Sequence, residues 1–152
     1  MVKKTLILLI LLVSCSGSQT DIDEPPKSLN SEEVLNLIFD SYKNFSNTPE
    51  KAVDTIWGFA HEDNKEITGP KERFYQMLVS APYDSIIDLK EYSYEVVFEN
   101  DTNIHYEVKV LAKDNNYFVI TWVFVFDECE LNSGMCWQTI GVSSPMYFDS
   151  GI

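Results

Sequence analysis

Between Leu78 and Tyr92 the spacing of apolar residues changes from the helical period to the strand period, and this switch restricts the fold more than any other feature of the sequence. Before it, Val34, Leu35, Ile38, Tyr42 and Phe45 recur every three or four residues, which predicts a first amphipathic helix. Asn30 precedes the run as an N-cap, with Glu33 three residues on in the capping-box position. Thr48-Pro49 restarts the pattern with a capping hydroxyl and a proline at the first helical position. Val53, Ile56, Trp57 and Ala60 mark the buried face of this second helix. Glu62–Glu66 reads as a polar break. Gly69-Pro70 then opens a third helix carrying Phe74, Met77 and Leu78, which Ala81-Pro82 ends.

After the switch, Tyr92, Tyr94, Val96 and Phe98 alternate with Ser93, Glu95, Val97 and Glu99. Asn100-Asp101 supplies a turn. Ile104, Tyr106, Val108 and Val110 then alternate with His105, Glu107 and Lys109. A second turn at 113–116 leads into 117–126, apolar or aromatic at nearly every position, as expected of a strand covered on both faces. Residues 137–143 form the last expected strand. Sequential strands joined by short turns imply an antiparallel meander. The expected class is therefore α+β, with three N-terminal helices packed into a curved four-stranded antiparallel sheet. The sheet must curl around the helices to cover their apolar stripes with its own alternating face. The domain contains no internal repeat or low-complexity tract.

The first 29 residues have a different character. Lys3 and Lys4 precede an unbroken Leu/Ile/Val run from Leu6 to Val13, the charged and apolar regions of a secretory signal. Eight apolar residues are too few to span a bilayer, which needs roughly 20 in a helix. Leu12-Val13-Ser14-Cys15 resembles the bacterial lipobox. Small Ser14 gives the peptidase access to the peptide bond, and the Cys15 thiol carries the thioether-linked diacylglycerol. The expected organisation is a lipoprotein signal peptide at 1–14, a lipidated Cys15 and flexible tether at 15–29, and a single α+β domain at 30–152. Two or more acyl chains hold a protein stably to a membrane where one does not. Ser16, in place of Asp, favours the periplasmic face of the outer membrane. The tether is rich in Ser, Asp, Pro and Gly without periodicity, and its 14 residues after Cys15 reach roughly 45–50 Å at full extension.

Loss of the signal leaves 138 residues, enough for one domain. The full chain has 24 acidic and 11 basic residues. Without Lys3 and Lys4 the mature protein keeps nine basic against 24 acidic residues, a net charge of −15. Such a surface repels nucleic acid and anionic headgroups. The acids are dispersed and lack calcium-loop spacing, so solubility accounts for them better than a metal or cationic partner does.

With Cys15 assigned to lipid, Cys129 and Cys136 remain. An even pair in an oxidising compartment reads as a disulfide around the turn-forming Asn132-Ser133-Gly134. Closing so small a loop stabilises by roughly 2–3 kcal/mol in the chain-entropy model. The alternative is two free buried thiols. A redox pair has closer spacing, and a zinc site needs further ligands.

Trp57-Gly58-Phe59-Ala60, Asn64-Lys65, Thr68-Gly69-Pro70, Arg73-Phe74 and Met77 follow one another in an order that resembles an uncharacterised bacterial family of small exported proteins. Gly134-Met135-Cys136-Trp137 and Gly141-Val142 match the same family's C-terminal pattern. The resemblance covers about Asn30 to Pro145. It implies a nuclear-transport-factor-2-like, cystatin-like cone, with helices packed into a curved sheet, and brings no activity with it. Soluble relatives in that family are expected to lack the lipobox, so localisation rests on this sequence alone.

Candidate chemistry is sparse. His61, in His61-Glu62-Asp63, reads as a solvated helix C-terminus. His105 shares a polar strand face with Glu107 and Lys109, without an identifiable partner for general-base work. There is no nucleophile elbow, phosphate loop, metal-ligand spacing or implied cofactor. Trp57, Tyr83, Tyr106, Trp122 and Trp137 are candidates for the mouth of an apolar pocket, although filling a small core explains aromatics more simply. Arg73, the single arginine, suggests a bidentate pair with one of the many carboxylates. The leading functional expectation is a membrane-tethered, non-enzymatic binding or interaction module, with dimerisation through the outer sheet face by analogy. The rival is a small-molecule-binding protein or enzyme that uses Arg73, His105 and Tyr106 in the cone pocket, with Trp57, Tyr83 and Trp137 around them.

Overall fold

A computed structural model describes residues 29–129 and 134–148. The signal, Cys15 and the tether up to residue 28 lie outside the described residues. Among the described residues, four α-helices precede a five-stranded antiparallel sheet that does not close.

The capping box forms as its sequence directs. Asn30 Oδ1 accepts the Glu33 N–H at 2.8 Å, and the Glu33 carboxylate accepts the Asn30 N–H at 2.8 Å. Helix α1 (Ser31–Lys43) follows, burying Val34, Leu35, Ile38, Phe39 and Tyr42. Phe45 lies beyond its end, buried in a single 3-10 turn. Helix α2 (Pro49–Gly58) begins at its proline, but the Thr48 side chain makes no capping bond.

The expected polar break is instead helix α3 (Glu62–Thr68). No residue of α3 is buried, so it carries no apolar stripe for periodicity to detect. It is held by its ends. The His61 imidazole accepts the Asp63 N–H at 3.2 Å, and Lys65 pairs with Glu62 at 2.7 Å. His61 is thus the N-cap of α3 rather than the solvated end of α2. Gly69, at φ 84° and ψ −168°, ends α3. Helix α4 (Lys71–Leu78) follows with Pro70 as N-cap, and a 3-10 segment at Tyr83–Ile86 leads to the sheet.

Strands β1 (Glu91–Glu99), β2 (Asn103–Leu111), β3 (Tyr117–Cys129) and β4 (Gly134–Val142) form the expected meander. A fifth strand, β5 (Met146–Phe148), pairs with the start of β3, beyond the point where β4 leaves it. Strand β3 departs from the expectation of two covered faces. Ile120, Trp122 and Phe124 are buried, while Val119, Thr121, Val123 and Val125 are half-buried on the outer face. The alternation of β1 also breaks. The register shifts between Val96 and Phe98, so Phe98 pairs with His105 on the outer face and lies 46% exposed.

The core fills the space between the helices and the inner face of β1–β3. Phe39 packs against Tyr92 and Trp122 at ring-centroid distances of 5.2 and 5.3 Å. A row of tyrosine hydroxyls fastens α1 to the sheet. Tyr94 donates to Glu32 at 2.5 Å, Tyr92 donates to Asn36 at 3.1 Å, and Tyr106 bonds Ser31 at 2.8 Å. Cys129 and Cys136 come to disulfide distance across the β3–β4 connection, with Cα atoms 5.9 Å apart.

Candidate functional site

The chain leaving α2 joins the sheet edge. Ala60 bridges Thr139 in parallel, with the Thr139 N–H donating to Phe59 O at 2.7 Å and the His61 N–H donating to Thr139 O at 2.9 Å. One residue further along β4 the pairing slips. Phe124 faces Thr139 while Val123 faces Gly141, so Ile140 is an extra residue in a bulge. Bulges bend a strand and redirect its groups. Here the Ile140 carbonyl accepts the Asn64 side-chain amide of α3 at 3.3 Å. Helices α3 and α4 are thereby held over the end of the sheet, and a cavity of about 290 Å3 remains beneath them.

The wall of the cavity is mainly apolar. Ile56, Phe74, Leu78 and Trp122 form its deep part, and all four are buried. Ile67 of α3 stands at its edge, 79% exposed. Such a volume lies at the lower end of the range for small-molecule sites, which are apolar with a few placed polar groups. The polar groups here are Tyr42, Asn64, Thr68, Tyr83 and Thr139. The Trp122 indole N–H donates to Thr139 Oγ1 at 2.9 Å, and the Thr68 hydroxyl donates to Asn64 O at 2.9 Å. Burial pushes the Tyr42 hydroxyl above the usual tyrosine range, and the Tyr83 phenol beside it adds to the rise. The Tyr42 phenol is therefore a neutral donor at any physiological pH. Among the described residues that line the cavity there is no carboxylate, imidazole, ammonium or thiol.

Of the six residues named from sequence as ligand contacts, Tyr83 alone lines this cavity. Trp57 packs on Phe74 at 5.0 Å with the Lys65 ammonium 5.8 Å from its ring centre, outside the lining set. Trp137 packs on Phe126 at 5.1 Å. Arg73 is exposed on α4, and no described carboxylate lies within ion-pair distance of it. His105 packs against Phe98 on the outer face at 4.8 Å, while Tyr106 is buried on the inner face against Ser31. Neighbours on a strand point to opposite faces, so His105, Tyr106 and Arg73 do not converge. Trp122, placed among the pocket aromatics, does line the cavity.

Sequence reasoning missed Tyr42, Asn64 and Thr139. Tyr42 lies on the apolar stripe of α1, where periodicity reports burial but not what the hydroxyl meets. Asn64 fell in the supposed break. No signal in the sequence marks Thr139 as the acceptor for Trp122.

Among the described residues, no three His, Cys, Asp or Glu side chains are grouped to hold a metal ion, and no helix is long and apolar enough to cross a membrane. No family model, curated protein or solved structure matches this chain.

Proposed function

We propose that this chain is a lipid-anchored envelope protein whose folded domain is a non-enzymatic binding module, taking a small apolar molecule in the cavity between α3, α4 and β4. The observation that carries the binding reading is the cavity itself, about 290 Å3 and walled mainly by buried apolar side chains. Sequence alone ranks an interaction module above a small-molecule binder. The cavity moves the weight to the second, with Tyr83 alone among the six residues first named for it. A lining of phenols, hydroxyls and an amide favours binding over catalysis, because proton transfer near neutral pH needs a group that titrates there.

The anchoring half of the reading rests on Leu12-Val13-Ser14-Cys15 and the apolar run before it. Lipidation at Cys15, the tether and the periplasmic face of the outer membrane go together in it, as does kinship with the exported family described above. A domain held near a bilayer by lipid is well placed to take up apolar molecules that partition there.

Two experiments test the two halves. A neutral naphthylamine fluorophore should brighten on binding the domain, and Met77→Trp, which enlarges a half-buried wall residue, should abolish the signal while circular dichroism stays unchanged. Equal brightening by both proteins would reject the cavity as the site. Metabolic labelling with an alkynyl fatty acid should tag the wild-type chain and not Cys15→Ser. Label on both, or on neither, would reject the anchor.

A further inference from the structure

Two phenols on the cavity wall have hydroxyls that no described residue hydrogen-bonds, those of Tyr42 and Tyr83. Tyr42 is the telling case, because the residue is only 2% exposed. Every fully enclosed side-chain nitrogen or oxygen among the described residues has a hydrogen-bond partner. The Tyr42 hydroxyl is therefore not sealed in the core but opens onto the cavity space. The other polar groups of the wall are differently occupied. Trp122 donates its only N–H to Thr139, Thr68 donates to Asn64 O, and the Asn64 amide donates to Ile140 O. Tyr42 and Tyr83 line the same cavity, and the Tyr83 phenol helps to raise the Tyr42 hydroxyl above its ordinary range.

We propose that Tyr42 and Tyr83 act together as a donor pair that selects a neutral, mainly apolar ligand bearing one carbonyl oxygen, such as a ketone or ester. This inference rests on the cavity being the binding site. A carbonyl oxygen has two lone pairs and can accept from both phenols at once. A pure hydrocarbon of the same size leaves both hydroxyls unpaired against apolar atoms, which is unfavourable. A carboxylate can also accept, but it must leave water for a wall with no described cationic side chain, in a chain of net charge −13. The wall thus ranks a neutral acceptor above both a hydrocarbon and an anion.

The experiment displaces a neutral naphthylamine fluorophore from the domain with n-octane, 2-octanone and octanoate, using wild type, Tyr42→Phe and Tyr83→Phe. The proposal expects 2-octanone to bind wild type roughly tenfold more tightly than the other two, the scale of a hydrogen-bonded group left unpaired. Each Phe substitution should reduce that advantage while the affinity for octane holds or rises. Octane matching 2-octanone, octanoate binding tightest, or a ranking unchanged in both variants would overturn the donor pair and leave the apolar cavity standing. Failure of all three compounds to displace the fluorophore from wild type would overturn the cavity reading and the donor pair with it. Tyr83 is half-buried, so its Phe variant keeps the test decisive even where Tyr42→Phe perturbs folding.

Discussion

The indole of Trp122 donates to the hydroxyl of Thr139 across 2.9 Å, both residues being buried. This bond joins β3 to β4 one residue before the Ile140 bulge, at the base of the cavity. Replacing Thr139 by Val keeps the shape and removes the acceptor, leaving a buried N–H unpaired. Such a loss costs about 1–3 kcal/mol. Urea denaturation should show that decrease for Thr139→Val and a much smaller one for Thr139→Ser, which retains an acceptor. Equal stability of wild type and Thr139→Val would mean that the bond contributes nothing.

A side chain at Gly69 is opposed chiefly by the backbone, and only secondarily by a contact with the flexible Arg73. The Gly69 φ of 84° and ψ of −168° belong to a region used almost solely by glycine, and an added Cβ would stand 2.8 Å from Arg73 Cδ. Backbone strain of this kind costs about 1–3 kcal/mol. Gly69→Ala should lower stability by that amount. Arg73→Ala alone should change it by less than about 0.5 kcal/mol, as an exposed substitution. The double variant should recover little, because Arg73 is flexible and the strained backbone remains. Full recovery would place the whole cost in the contact.

The tyrosines under α1 make stability fall at high pH. Burial, assisted by Asp40, holds the Tyr92 hydroxyl up to about 12 against an ordinary value of 10.0, and burial raises Tyr42, Tyr94 and Tyr106 as well. Between these values the unfolded chain has lost protons that the folded one keeps. Their contribution is therefore complete below about pH 10 and is lost as pH climbs toward the folded-state values. Melting temperature should be level from pH 7 to 9 and drop above pH 10, less steeply for Tyr92→Phe. A level profile to pH 11.5 would contradict this.

The capping box gives a local test. Asn30→Ala removes the side-chain acceptor of the Glu33 N–H, and losing such a cap costs typically about 1 kcal/mol. Thr48→Ala should cost less, since its side chain makes no capping bond. Thermal denaturation of the two variants distinguishes them, and equal losses would contradict the assignment.

What could be read from sequence was local and periodic. The Asn30–Glu33 box, the stripe of α1 and the alternation of β2 each follow from rules spanning a few residues. Helix α3 escaped because its stability lies in its ends, at His61 and Gly69, and not in a buried face. Strand β5 escaped because three residues carry no period. The bulge that turns Phe98 outward left no mark in an alternation that looked continuous through Glu99. The candidate site suffered most, because a cavity is defined by which distant elements meet. Tyr83 and Trp122 were found as aromatics, whereas the free hydroxyl of Tyr42 depends on the helices, the 3-10 segment and the strands that meet around it.

The cavity under α3 and α4 is the proposed binding site of this domain. A heteronuclear NMR titration of the isotopically labelled protein with 2-octanone locates the site residue by residue. Amide shifts should concentrate at Tyr42, Asn64, Thr68, Tyr83 and Ile140, with the outer sheet face around His105 and Val123 unmoved. Shifts confined to the outer face, or none at saturating ligand, would rule out the cavity as the binding site.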